Sequence, residues 1–171
     1  PAIDEKVNLC EVGNGEGTVG SGGYFRYSNQ YILALDKGWH LAPTNNGDNH
    51  KKAWGTSNTC ATVVYTNDFT MSGIYQAMRD RSVWSTENRD LDVAYNLNDG
   101  TNTYSMGAIL DKAPATADIT VTATNKNPGT ETSNIESIQL ISNSGKVVNE
   151  QKYGAGNSDV TYTYAMTAPA T

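Results

Sequence analysis

The hydrophobic pattern changes period part-way along the chain, and that change limits the fold more than any single motif. Up to about Arg89, short apolar runs alternate with segments of helical spacing. Residues 7–12 read as a buried strand. Residues 24–37 place Tyr27, Tyr31, Ile32 and Leu35 on one helical face, with Gly38 as the stop. Residues 39–42 and 59–65 read as further strands. Thr70 caps a second helix running to about Asp80, which is expected to bury Met71, Ile74, Tyr75 and Met78. Strands alternating with helices predict β-α-β units and a parallel sheet. From Leu91 onward only short period-two runs remain, at 92–96, 119–124, 138–141 and 160–164. Asn98-Asp-Gly, Asn127-Pro-Gly and Asn143-Ser-Gly supply turn chemistry between them. That spacing predicts an antiparallel β-sandwich. The expected fold class is therefore α/β followed by all-β, with the joint near residues 87–92 and domains at 1–89 and 90–171.

Charge narrows the partners. With 171 residues and a formal charge of -6, the chain lacks the clustered Lys and Arg that phosphate backbones require. Lys51-Lys52 and Arg79-x-Arg81 are short and isolated. Neither nucleic acid nor an anionic membrane is expected, and no apolar run approaches the length of a membrane span. No signal peptide is visible, and a start at Pro1 without Met suggests a processed or excised piece of something longer. Few Lys, many Asn, Thr, Gly and Tyr, and a Thr-Ala-Pro-Ala-Thr end suggest an extracellular or cell-surface setting. Cys10 and Cys60 are the only cysteines and form no Cys-x-x-Cys pair, which argues against a thiolate zinc site. In an oxidising compartment they could bridge; otherwise they are buried, reduced thiols on neighbouring strands.

The chemistry concentrates in residues 38–55, which hold both histidines and two of the three tryptophans. Asp48-x-His50 lies there in a polar loop. A hard carboxylate oxygen beside a borderline imidazole nitrogen suits zinc, manganese or iron. Catalytic metals normally take three or more protein ligands, so two are half a site. The alternative is a turn rich in Asp and Asn carrying an exposed, idle histidine. Trp39 and Trp54 are expected to pack under either reading. His40 alternates with Trp39 and is assigned no role.

Three weaker patterns stand beside it. Gly15-x-Gly17-x-x-Gly20 matches a dinucleotide fingerprint, but the turn is too long and Glu16 puts a negative charge where a pyrophosphate would lie. A long mobile loop is the better reading. Residues 96–100 hint at a calcium loop without its alternate-oxygen spacing and read better as a hairpin turn. Tyr95, Tyr104, Tyr153, Tyr162 and Tyr164 could stack on sugar rings, making the all-β part a carbohydrate- or protein-binding module of a secreted protein. The competing reading places them on a sandwich face or edge.

Several ordered motifs also resemble a known family. Leu35-Asp-Lys-Gly-Trp39, Pro43-Thr-Asn-Asn-Gly-Asp-Asn-His50 and Trp54-Gly55 are similar to the late part of the polymerase-and-histidinol-phosphatase (PHP) superfamily, in its CehA/McbA-like metallohydrolase branch. Ile74-Tyr-Gln-Ala-Met-Arg79, the run from Asp80 to Asn88, Met106-Gly107 and Glu11-Val-Gly-Asn14 extend the likeness over about a hundred residues. The resemblance implies that 1–89 is the last part of a distorted β/α barrel and that 90–171 is an immunoglobulin-like β-sandwich, curtailed at Thr171. It further implies a divalent metal cluster that activates water to hydrolyse a small-molecule or phosphoester substrate. Asp48 and His50 become metal-ligand candidates, and Glu11 a candidate for orienting water, a ligand or substrate. Asn14, Asn49, Arg81 and Thr86 match positions without an assigned chemistry. The family's opening His-x-His strand and the His and Glu after it are missing. The expectation is thus a C-terminal fragment, inactive alone and holding no metal by itself, whose missing barrel half arrives in cis or on another chain.

Overall fold

The computed structural model describes residues 3–128 and 134–167. Pro1, Gly129 of the Asn127-Pro-Gly turn and the chain end at Thr171 lie outside them. The fold is mixed α/β, mostly strands, with two short helices and several small sheets, and the described residues form no closed barrel. Two compact units divide the chain: one runs through Arg89 and takes in the turn 143–145, the other comprises the remaining residues from Asp90 on.

In the first unit, β1 (Leu9–Asn14) pairs in parallel with β3 (Ala42–Asn46), the two joined through helix α1 (Ser28–Asp36). A two-residue strand β2 (Phe25–Arg26) pairs antiparallel with the end of β1. This is the expected β-α-β unit, with three adjustments. The segment 24–27 is not helical: Tyr24 is buried and Phe25–Arg26 is drawn into the sheet, so α1 begins only at Ser28. The strand expected at 39–42 instead runs from Ala42 to Asn46, because the Pro43-Thr-Asn-Asn run pairs with β1. Finally, β4 (Ala61–Val64) and β5 (Val83–Thr86), which flank helix α2 (Met71–Arg79), pair antiparallel rather than parallel.

Thr70 does cap α2, accepting a hydrogen bond from Gly73 N at 3.1 Å. The buried face of that helix differs from expectation. Ala77 is its one buried residue, while Met71 and Tyr75 are exposed. The apolar spacing is helical, but the β4–β5 sheet flanking the helix is short, and beside residues 6–9 the helix face at Tyr75 and Met78 opens onto a pocket.

A polar seam joins the two small sheets of this unit. Thr62 of β4 stands in for a missing strand ladder: its Oγ1 accepts from Asn45 N and donates to Asn45 O, both at 2.9 Å. The buried Asn45 side chain donates to Tyr24 Oη at 2.7 Å and to Thr86 O at 3.2 Å. The Thr62 and Asn45 side chains thus satisfy backbone groups of Asn45 and Thr86, and Tyr24 takes up the second Asn45 amide hydrogen.

The second unit holds a four-stranded antiparallel sheet in the order β11-β8-β6-β7, formed by β6 (Leu91–Asn98), β7 (Thr103–Ser105), β8 (Thr116–Asn125) and β11 (Asp159–Thr167). β9 (Ser137–Ser142) and β10 (Lys146–Lys152) make a separate hairpin. Its turn uses Ser144 and Gly145 at φ 59° and 69°, the left-handed geometry that a tight hairpin demands. Ala117, Ile119, Ala123, Val160 and Tyr162 line the buried face, Val160 directly opposite Ala123. Tyr162 is 2% exposed and donates its hydroxyl to Asn149 of the hairpin at 2.9 Å.

Candidate functional site

The parallel strands β1 and β3 end side by side at Asn14 and Asn46, and the chain beyond each end turns into a common cleft. Carboxyl ends of parallel strands are where α/β folds collect binding residues, because the loops there converge while the ladder holds their bases rigid. The cleft encloses about 710 Å³ and is lined by Asn14, Glu16 and the adjoining glycines on one side and by 48–51 on the other, with Phe25 and Tyr27 at its wall.

Asp48 and His50 meet in its lining. Asp48 Oδ1 lies 3.0 Å from His50 Nε2. Asp48 reaches this position with φ 42°, in the left-handed region that Asp tolerates better than most residues. At this separation the two atoms are in ordinary hydrogen-bonding contact, a little closer than the roughly 3.3–3.6 Å that tetrahedral zinc with bonds of about 2.0–2.2 Å sets between two donors. The pair supplies donor types that a divalent metal takes. A complete centre does not form from it: among the described residues, no group of three His, Cys, Asp or Glu could hold an ion.

Glu11 stands apart from the pair. Its register partner on β3 is Thr44, and its carboxylate accepts from Asn46 Nδ2 at 2.5 Å. It does not line the cleft, whereas Asn14, three residues on, does. Asn14 Oδ1 and Asn49 Nδ2 are buried and have no hydrogen-bond partner, leaving one acceptor and one donor unsatisfied among the cleft's residues. Asn49 Oδ1 meanwhile accepts from Lys51 N at 3.3 Å and Ala53 N at 2.9 Å, which closes the turn behind His50. Thr86 Oγ1 caps a turn by accepting from Asn88 N, and Arg81 Nε donates to His40 O at 2.5 Å. Both of these are structural contacts.

The neighbouring sequence features fall out as follows. His40 is paired: its Nδ1 lies 2.6 Å from Asp4 Oδ2 and its backbone N–H donates to Asp4 Oδ1 at 2.7 Å. Those hydrogen bonds hold the Asp4 carboxyl below its usual value. Trp54 is not a packing residue but 76% exposed, while Trp39 is half-buried. Cys10 and Cys60 are free thiols. They are not on neighbouring strands, since β1 pairs with β2 and β3, and Cys60 precedes β4. Burial pushes the Cys10 thiol up, making it a poor nucleophile. Asp99 accepts from the backbone N–H of Thr101 and Asn102, which makes 98–102 a hairpin turn between β6 and β7. Of the five tyrosines considered for sugar stacking, Tyr162 is buried and hydrogen-bonded, and the other four are half-buried.

Sequence reasoning missed the part Glu16 plays. Its carboxylate accepts from the backbone N–H of His50, and its other oxygen lies 3.3 Å from Lys51 Nζ. These contacts, the His50 N–H foremost, hold the Glu16 carboxyl below its ordinary 4.5. The available signal was Gly-Glu-Gly, one acidic side chain between two residues that have none. Comparison with protein-family models, with curated proteins and with solved structures found no match for this chain.

Proposed function

We propose that this chain is the C-terminal region of a PHP-type metal-dependent hydrolase, with Asp48 and His50 as two ligands of a metal centre that upstream residues complete. On this reading, residues 1–89 are the last strands and helices of a distorted β/α barrel, and the part from Asp90 on is an immunoglobulin-like β-sandwich. The observation that carries the reading is the 3.0 Å approach of Asp48 Oδ1 to His50 Nε2 in a cleft at the carboxyl ends of two parallel strands. The imidazole and the carboxylate are in hydrogen-bonding contact. Asp48 and His50 would each give one donor to a divalent ion held there, with the coordinating ring nitrogen free of its proton. A bound divalent ion supplies activated water and polarises a phosphoryl oxygen. The chain's own contribution is the anionic oxygen of Asp48, the imidazole of His50 and the polar wall provided by Asn14 and Asn49.

The test uses a longer gene product that includes an upstream His-x-His strand. It is expected to hold divalent metal and to hydrolyse a phosphomonoester, while residues 1–171 alone show no turnover. Asp48→Ala and His50→Ala should each lower bound metal and hydrolysis together by at least tenfold. Full metal content and activity in both variants would remove the assignment.

A further inference from the structure

We propose that Glu16 is the positioning residue that holds Asp48 and His50 facing each other, and that the glycine-rich segment following β1 is built to deliver it. The inference rests on the metal-pair reading for its purpose, but its geometry is independent of any ion. His50 and Asp48 side chains are 77% and 56% exposed, so their mutual attraction is heavily screened and does not by itself hold the arrangement. The loop that carries them has no ladder of its own, and two non-glycine residues in it, Asp48 and Lys52, adopt left-handed backbone at φ 42° and 62°. Such conformations persist where the surroundings impose them. Within 48–53 the other side-chain hydrogen bonds are local, from Asn49 to Lys51 and Ala53 and between Asp48 and His50. The ties that reach across the cleft end on Glu16, at the His50 N–H and at Lys51 Nζ.

The segment that carries Glu16 is closed at its neck. Gly17 N donates to Gly23 O at 3.1 Å, Gly15 N donates to Asn46 O at 3.3 Å, and Asn58 Nδ2 donates to Gly15 O at 2.6 Å. A Cβ at Gly15 would collide with Gly23 O, and one at Gly17 with Ser21 Oγ and the Gly23 backbone. Gly15 also sits at φ 136°, beyond what a side chain tolerates. The two glycines flanking Glu16 are therefore a packing requirement of the neck that carries it. Although charged, that side chain is only 24% exposed.

The experiment uses the 171-residue chain, labelled with ¹⁵N, and reads the ring nitrogens and amide of His50 by NMR. In the wild type, the ring shifts should show an Nε2–H engaged with a carboxylate. Glu16→Ala should move them to the values seen in Asp48→Ala, with the rest of the amide spectrum unchanged, and Glu16→Gln, which keeps an acceptor for the His50 N–H, should restore them. Lys51→Ala should leave them in place. Ring shifts unchanged in Glu16→Ala, or a Glu16→Gln variant indistinguishable from Glu16→Ala, overturn the proposal. Mn²⁺ titration of the same samples keeps the two ideas separate. Selective broadening of Asp48 and His50 in the wild type, lost in Asp48→Ala and weakened at least fivefold in Glu16→Ala, supports both. Loss of broadening in Asp48→Ala together with an unweakened response in Glu16→Ala overturns the positioning role and leaves the pair standing. No selective broadening in the wild type is what half a site gives, and the ring shifts then decide the positioning role alone.

Discussion

In the second unit β11 and β8 pair without a break, from Asp159 opposite Thr124 to Thr167 opposite Thr116. In the first unit, β1 and β3 share a shorter ladder whose register shifts between Glu11 and Gly13, and β4 and β5 form a sheet of their own. The difference shows two ways of satisfying a backbone. Where strands are long, the ladder does it, and alternate side chains such as Ile119, Val160 and Tyr162 are free to form an apolar face. Where strands are short and sheets small, side chains must complete the pairing, and the interior takes in polar groups beside apolar ones such as Val83 and Trp84: Thr44, Asn45 and Thr86 are all buried in the first unit. The cost of the second solution is visible in apolar groups left outside, including Phe69 and Met71. Its gain is a set of loops whose conformations are set by side-chain hydrogen bonds, which is what a binding cleft requires.

Substitutions that sharpen or break this comparison rank by what holds each unit. Tyr162→Ala should be the most damaging, at about 3–5 kcal/mol, because it empties a buried aromatic site. Tyr162→Phe should cost about 1 kcal/mol for the lost hydrogen bond to Asn149. Chemical denaturation followed by amide signals from β8 and β11 measures both, and an alanine variant that costs no more than the phenylalanine variant would show that the apolar face is not what holds that unit. Asn45→Ala should cost about 2 kcal/mol, since it removes the amide that donates to Thr86 O and to Tyr24 Oη. The loss should be confined to signals from β3, β4 and β5, and an equal loss in β8 would break the comparison.

The smallest effect concerns pH. Because the Asp4 carboxyl is held below its usual 3.8 by His40, its contribution is fully present above that value and disappears as pH falls through the lowered folded value. Asp4→Asn should therefore flatten the acid limb of first-unit stability below about pH 4, which a denaturation series between about pH 2 and 5 would detect. An unchanged acid limb would mean that the Asp4–His40 contact carries no stability.

Parts of the site were legible because they depend on residue type alone. Asp48-x-His50 announces a donor pair, and the β-α-β alternation puts it after a strand, whichever residues begin that strand. Thr70 as a cap follows from its own hydroxyl and the apolar spacing after it. Other features depend on what lies across a gap. That Glu11 pairs with Asn46 while Glu16 reaches the His50 N–H depends on where β1 ends and how the Gly15–Gly23 neck closes, and no local propensity encodes either. The burial of α2 failed for the same reason. A helical stripe states which face is apolar, and only the neighbouring element states whether anything is there to cover it.

By itself, the amino-acid order determined the change from helix-and-strand to strand-only structure, because hydrophobic period is set by backbone geometry and each segment carries its own. It also determined which side chains can donate to a metal, since that is a property of their atoms. Tertiary structure decided the partners: antiparallel β4 and β5, a polar seam through Asn45, an exposed Trp54, and a glutamate from a distant glycine loop bracing the histidine. These contacts join residues tens of positions apart, so their geometry exists only once the backbone between them has closed.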